Sequence, residues 1–311
     1  MAGSQQTALV DKYLTGVSNK IQPKGFVAEQ VFPMVKVKQS TGKLGQYGTG
    51  HMRIVTTLTG GKNEYPMVDT RTESSLTYSI DKHGLKDIID EMTLANYEDP
   101  FDAEVDTTDE LTTLLMLAKE KGLADSLGST SVLTNNVTLS GTDQYNDYTN
   151  SDPLVDFKTA RAAIRNKVGM NPDTVIIPLD VAETLMYHPK ILEVGYKYNR
   201  SGELTLEELA RVMRVERILI AEAIYESAKE GQTSAILQLW GKNIIFCVAP
   251  RTAARRQVSL GYRFQQFADS RRVFKKMVDD PVNSIKILVD DHYDQLIADV
   301  NAGYLIKDAI A

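Results

Sequence analysis

Cysteine is almost missing from these 311 residues. Cys247 stands alone, so neither an intrachain disulfide nor a cysteine-based zinc cluster can form. Its setting, "NIIFCVAP", is an apolar run that suits a small buried side chain better than a reactive thiol. The four histidines, His51, His83, His188 and His292, stand in unrelated contexts, without the spacing of a His-Glu-x-x-His metal helix. No stretch reaches the roughly 18 consecutive apolar residues of a membrane span. The opening "MAGSQQTALVDKYLTGVSNKI" has neither the basic start nor the apolar block of a signal peptide. The expectation is a chain made in the cytoplasm that enters no bilayer. Basic residues are also short: 35 against 41 acidic, a formal net charge of -6. That opposes a general nucleic-acid clamp and suits a surface that lies beside nucleic acid without gripping it.

What is present divides into unlike stretches. With 42% hydrophobic and 24% charged residues the balance is that of a globular protein, long enough for about two compact units. The first 34 residues read as an extended arm with one short amphipathic piece, and "VFPMVKV" around Pro33 reads as an edge strand. From Ser40 to Tyr78, glycines punctuate strand-like pieces such as "HMRIVTTLT" and "SSLTYSI", predicting a long two-stranded excursion. Two strands alone are marginal in water, so this ribbon needs another surface to lie on. An acidic stretch, residues 87–110, leads into a helical pattern over about 101–127 that ends at Gly128, roughly 40 Å of strut. Beyond it helices and strands alternate in a mixed α/β unit, with a capping box at Thr205 and Glu208, and "ERILIAEAIY" and "ILQLWGKNIIFCVAP" read as two further buried strands.

The stretch "VTLSGTDQYNDYTNSDPLVDF" places aspartates at 143, 147, 152 and 156. A calcium loop starting at Asp143 needs Gly at its sixth position and Glu at its twelfth, where this chain has Tyr148 and Leu154. The spacing fits backbone service better: Ser151 or Asp152 caps a helix, Pro153 opens it and Asp156 complements its positive end. Neither "GTGHMR" nor "TTLTGGKNE" completes a nucleotide-binding fingerprint, and no Gly-x-Ser-x-Gly elbow occurs. The acidic pairs Asp279–Asp280 and Asp290–Asp291 read as solvated loop or strand ends, because adjacent strand residues point to opposite faces. Residues 251–276 carry eight basic residues and one acid, a surface suited to the acidic stretch 87–110 of a neighbouring copy. A metal-dependent soluble α/β enzyme and a nucleic-acid module centred on Arg251 to Lys276 are the weaker functional readings.

In order along the chain, "VAEQVFPMVKV", "DPFDAEVDTTDELTTLLMLAKEKGLADSL", "VTLSGTDQYNDYTNSDPLVDFKTARAAI", "HPKILE", "LWGKNIIFCVAP" and the closing "DAIA" resemble the major capsid proteins of tailed double-stranded DNA bacteriophages, which share the Hong Kong 97-type fold. The resemblance implies an α+β (mixed α/β) chain with an N-terminal arm (1–34), an extended loop (35–80), a peripheral domain (81–130 and 268–298) built on a spine helix, and an axial domain (131–267 and 299–311). It implies self-assembly as hexamers and pentamers into an icosahedral virion shell, formed in the bacterial host cytoplasm around double-stranded DNA that is not read by sequence. A portal at one vertex is implied, scaffolding and decoration proteins are compatible with it, and neither catalysis nor a cofactor is. A shell protein of an encapsulin-type nanocompartment is the alternative within the same fold. Candidate inter-subunit contacts are Lys43, Tyr47, Gly60, Gly61 and Lys62 on the loop and Arg255, Arg256, Arg271 and Arg272 on the basic stretch. Some members crosslink through a lysine and an asparagine of adjacent subunits, and Lys43 and Lys62 lie where such a lysine would be.

Overall fold

The computed structural model describes residues 9–46, 54, 57–58, 65, 67, 74–97, 100–196, 204–229, 231–253, 257–266, 271–278 and 284–311. The leading segment holds β1 (Leu9–Val10), α1 (Lys12–Lys20) and the single turn α2 (Ala28–Val31), followed by β2 (Met34–Lys36). Strands β3 (Thr41–Gln46) and β4 (Ser74–Ser79) pair antiparallel as a separate ribbon, and β5 (Asp81–Ile89) follows. After α3 (Glu91–Asn96) comes α4 (Pro100–Leu127), 28 residues and so about 42 Å long.

The chain continues through β6 (Asn136–Thr138), α5 (Pro153–Val168), β7 (Thr174–Pro178), α6 (Leu179–Met186), α7 (Pro189–Tyr196), α8 (Leu206–Met213) and β8 (Arg217–Ala221). It closes with β9 (Ile224–Glu226), β10 (Ile236–Gln238), β11 (Ile244–Cys247), β12 (Gly261–Gln265), β13 (Arg271–Val278), β14 (Ser284–Ile297) and β15 (Gly303–Lys307).

Two sheets result. The first runs β1-β13-β14-β12-β2, and β5 pairs with the opposite edge of β14. The second runs β6-β15-β11-β7-β8. Its central strands β7 and β11 are buried at every residue, which is why "TVIIP" and "IIFC" are continuous apolar runs rather than alternating ones. Helix α4 joins the two units. Its Leu111 and Leu115 pack with Val273, Ile287 and Val289 of the first sheet. Its Leu123, Ala124 and Leu127 enter the larger core around the second sheet, each leucine contributing about 2 kcal/mol by burial. Among the described residues no helix is long and apolar enough to cross a membrane.

Local chemistry sets the element ends. Asp152 caps α5 by accepting from the Val155 amide, Pro153 opens the helix, and Gly169 closes it at φ 78°, where a side chain would be strained. Both halves of the Thr205–Glu208 capping box form at α8.

Three expectations need correction. The first 34 residues read as an extended arm with one short amphipathic piece, but α1 lies against α4 and β13 of the same subunit, with Leu14 fully buried. Ser18 Oγ meets Thr112 Oγ1 at 2.8 Å, and the Val273 amide donates to Thr15 Oγ1. The contacts are largely polar, so apolar periodicity does not reveal them. "ERILIAEAIY" and "ILQLWGKNIIFCVAP" read as one buried strand each, but each supplies two strands, and β9 and β10 pair as an outlying ribbon with Ile224, Ile236 and Leu237 more than half exposed. Finally, Asp290 and Asp291 are not solvated: both are under 4% exposed within β14.

Candidate assembly surfaces and the junction behind them

The aspartates of residues 143–156 serve the chain itself. Asp147 accepts from the amides of Thr149 and Asn150, and Asp156 accepts from the buried Tyr145 hydroxyl at 3.0 Å. Ser151 donates to the Asp147 carbonyl and meets His188 Nε2 at 3.0 Å. Among the described residues no group of three or more His, Cys, Asp or Glu side chains is placed to hold a metal ion. The pair Asp279–Asp280 lies outside the described residues. Cys247 is buried in β11, and burial pushes its thiol pKa far up, so it stays a protonated packing group.

Among the candidate contacts, Lys43 is exposed on β3, across from Thr77. Tyr47, Gly60, Gly61, Lys62, Arg255 and Arg256 lie outside the described residues, as does His51. Arg271 and Arg272 are neighbours on β13 and face opposite ways. Arg271 is 2% exposed and gives its guanidinium to the carbonyls of Ser18 and Ile21 in the chain's own leading segment. It therefore holds the subunit together and offers nothing to a neighbour. Arg272 grips Asp290 through two bonds of 3.1 and 3.0 Å and also meets His292 Nε2.

The basic stretch also finds acids inside its own subunit. Lys275 pairs with Glu104 at 2.5 Å, and Arg263 pairs with Glu29 at 2.5 Å. Glu104 belongs to the acidic stretch expected on a neighbouring copy, so that complementarity is partly spent within the chain. Long cationic side chains reach across one sheet face to the helix that covers it.

A buried ionic junction, not expected from the sequence, lies between α2, α4 and the first sheet. Lys119 bonds Asp291 at 3.0 Å and Glu29 at 3.1 Å, and sits 4.3 Å from the ring centre of Tyr293. Burial alone would raise the Glu29 pKa, but the charges of Arg263 and Lys119 outweigh it and hold it at about 2. Next along α4, Glu120 accepts from the amides of Val27 and Ala28 and from Trp240 Nε1. Burial raises its pKa, and these three donors oppose the rise. One helical turn thus ties the leading segment, the first sheet and the edge of the second core. A signal was present: Lys119 and Glu120 stand one turn after Leu115 and Met116 and one turn before Leu123 and Ala124, all buried.

The β3–β4 ribbon is anchored at its base by Tyr78, stacked on Phe264 with centroids 4.4 Å apart. Between its strands, Ile54, Leu58, Tyr65 and Met67 are at least 88% exposed. The described residues of this subunit leave these four side chains uncovered.

No known family model matches the sequence. Two curated relatives align with almost the whole chain. The major capsid protein of Burkholderia phage BcepMu is 26% identical over 309 residues, covering 96% of both chains. That of Pseudomonas phage JBD67 is 24% identical over 312 residues, covering 97% of both. Among solved structures, a phage-related protein from Bordetella bronchiseptica RB50 superposes with a TM-score of 0.76 at 23% identity, over 98% of each chain. The capsid of Cyanophage P-SCSP1u gives 0.58 at 10% identity, over 92% of this chain and 89% of that one. Two sheets bridged by one long helix, superposing along most of their length on the phage-related protein and on a cyanophage capsid subunit, give this chain the Hong Kong 97-type fold.

Proposed function

We propose that the chain is the major capsid protein of a tailed bacteriophage, a subunit that assembles into the shell around double-stranded DNA and catalyses no reaction. The observation that carries this reading is the near end-to-end match to two phage major capsid proteins, on a fold that phage capsid subunits share. In this reading the first sheet with the front of α4 forms the peripheral domain, the second sheet with its helices forms the axial domain, and the β3–β4 ribbon is the extended loop. The exposed Ile54, Leu58, Tyr65 and Met67 then meet a neighbouring subunit. Many modest contacts repeated by closed symmetry yield a wall stronger than any one of them. Hexamers and pentamers, a portal at one vertex, and assembly in the host cytoplasm follow from the same reading. The net charge of -6 lets DNA move against the inner wall during filling and exit.

Low-dose electron cryomicroscopy of particles formed by this protein is the test. Icosahedral shells filled with genome-length DNA are expected. Shells filled with a cargo protein would assign the chain to a nanocompartment instead, and protein that stays monomeric at high concentration would overturn both.

A further inference from the structure

One face of the first sheet carries three lysines that have no ion-pair partner among the described residues. Lys276 of β13 stands directly opposite Lys286 of β14, and Lys86 of β5 lies one row further along, opposite Leu288. Side chains alternate across a sheet. Since Val273, Ile287 and Val289 pack under α4, these lysines occupy the face turned away from the helix. Like charges directly opposite one another destabilise an antiparallel pair. Asp290 offers no relief, because Arg272, Lys82 and His292 already surround it. Beside Lys86 lies an open cleft of about 520 Å³, lined by Lys82, Gly84, Phe274, Leu288 and Asp290. The face thus combines Phe274 and Leu288 with a cluster of lysines, in a chain whose net charge is -6.

The other side of the same unit is its complement. From Pro100 to Ala118, α4 contains no basic residue, and Asp102, Asp106, Asp109 and Glu110 are exposed along it. Phe101, at the start of the same helix, is 39% exposed. We propose that a second copy of this chain lays the acidic front of its α4 against the lysine face formed by β13, β14 and β5. This rests on the shell reading and names one contact within it. Two unlike surfaces on one subunit make a head-to-tail contact, the kind that propagates around a ring. Its charge complementarity fixes partner and register, and salt weakens it.

Lys276→Glu is the discriminating variant, because it converts the Lys276–Lys286 repulsion into an attraction within the subunit. The isolated variant should melt at or above the wild-type temperature, while the protein concentration needed for shells rises about tenfold. Asp106→Lys should raise that concentration similarly, and the double variant K276E/D106K should recover assembly. Wild-type assembly by K276E, or no recovery in a folded double variant, overturns the contact. A DNA fragment held by wild-type subunits but not by K276E, with D106K assembling normally, would also overturn it and assign the lysines to phosphate. Failure of the wild type to form shells at all strikes the shell reading instead.

Discussion

Lys119 of α4 and Asp291 of β14 lie 3.0 Å apart with both side chains at most 4% exposed, and they fasten the long helix to the sheet beneath it. Their attraction in the interior is offset by the cost of stripping both charges of water, so the pair adds little net stability. Removing one member is different, because it strands the other charge. Lys119→Met is expected to cost about 3–5 kcal/mol in urea unfolding of the isolated subunit. Adding Asp291→Leu should recover part of that loss. Additive costs in the double variant would show that the two charges are not coupled.

Glu29 gives the subunit a defined acid limit. Its carboxyl titrates at about 2 in the folded chain against an ordinary 4.5, so the charged form is favoured by folding. The stability this contributes is complete above about pH 4.5 and is lost as pH falls from there toward 2. Glu29→Gln should therefore melt lower than the wild type at neutral pH and close on it as pH drops through that window. A difference in melting temperature unchanged between pH 6 and pH 2.5 would remove Glu29 as its source.

Glu120 and Trp240 offer a direct optical readout, since Trp240 is the only tryptophan in the chain. Its indole N–H donates to Glu120 Oε1 at 2.7 Å, and the same carboxylate accepts two amides of the leading segment. Glu120→Gln keeps the shape but turns one acceptor into a donor facing an N–H. A destabilisation of about 1–3 kcal/mol is expected, with a change in tryptophan emission before global unfolding. Emission and stability both unchanged would mean that the amide finds an alternative arrangement and that the carboxylate is not required.

What could be read in advance was local. Asp152, Pro153 and Gly169 spell out both ends of α5 within a few residues, and Thr205 with Glu208 does the same for the start of α8. The 28-residue α4 was legible because its leucines recur at helical spacing up to Gly128. The junction was not, because Glu29, Lys119, Arg263 and Asp291 come from four distant segments, and helical spacing marks only Lys119 among them as inward-facing, without naming its partners. Arg271 misled for the same reason. Sequence shows a basic run, and only the fold shows that its guanidinium faces the carbonyls at the end of α1. The ribbon lay between these cases: its strands were readable, while its anchor, Tyr78 on Phe264, joins residues 186 positions apart.

The last test concerns how the leading segment is seated. Gly261 lies under Phe32, which is fully buried, and a Cβ at position 261 would fall 2.3 Å from the ring. No real carbon contact is that short, so Gly261→Ala must displace either the ring or β12. The ring is the freer of the two. Strand β12 is fixed by its ladder to β14 and by its parallel pairing with β2, whereas Phe32 follows the single turn of α2. Overpacking of this kind costs about 1–3 kcal/mol. Because Phe32 adjoins the Val27–Ala28 amides held by Glu120, the loss should appear first as loosening of the leading segment. Limited proteolysis of G261A should cleave near residues 21–26 while the remainder stays intact. Phe32→Ala/Gly261→Ala should relieve the clash but forfeit the ring's burial, leaving the segment just as labile. A G261A subunit as resistant as the wild type would mean that the sheet, rather than the segment, gives way.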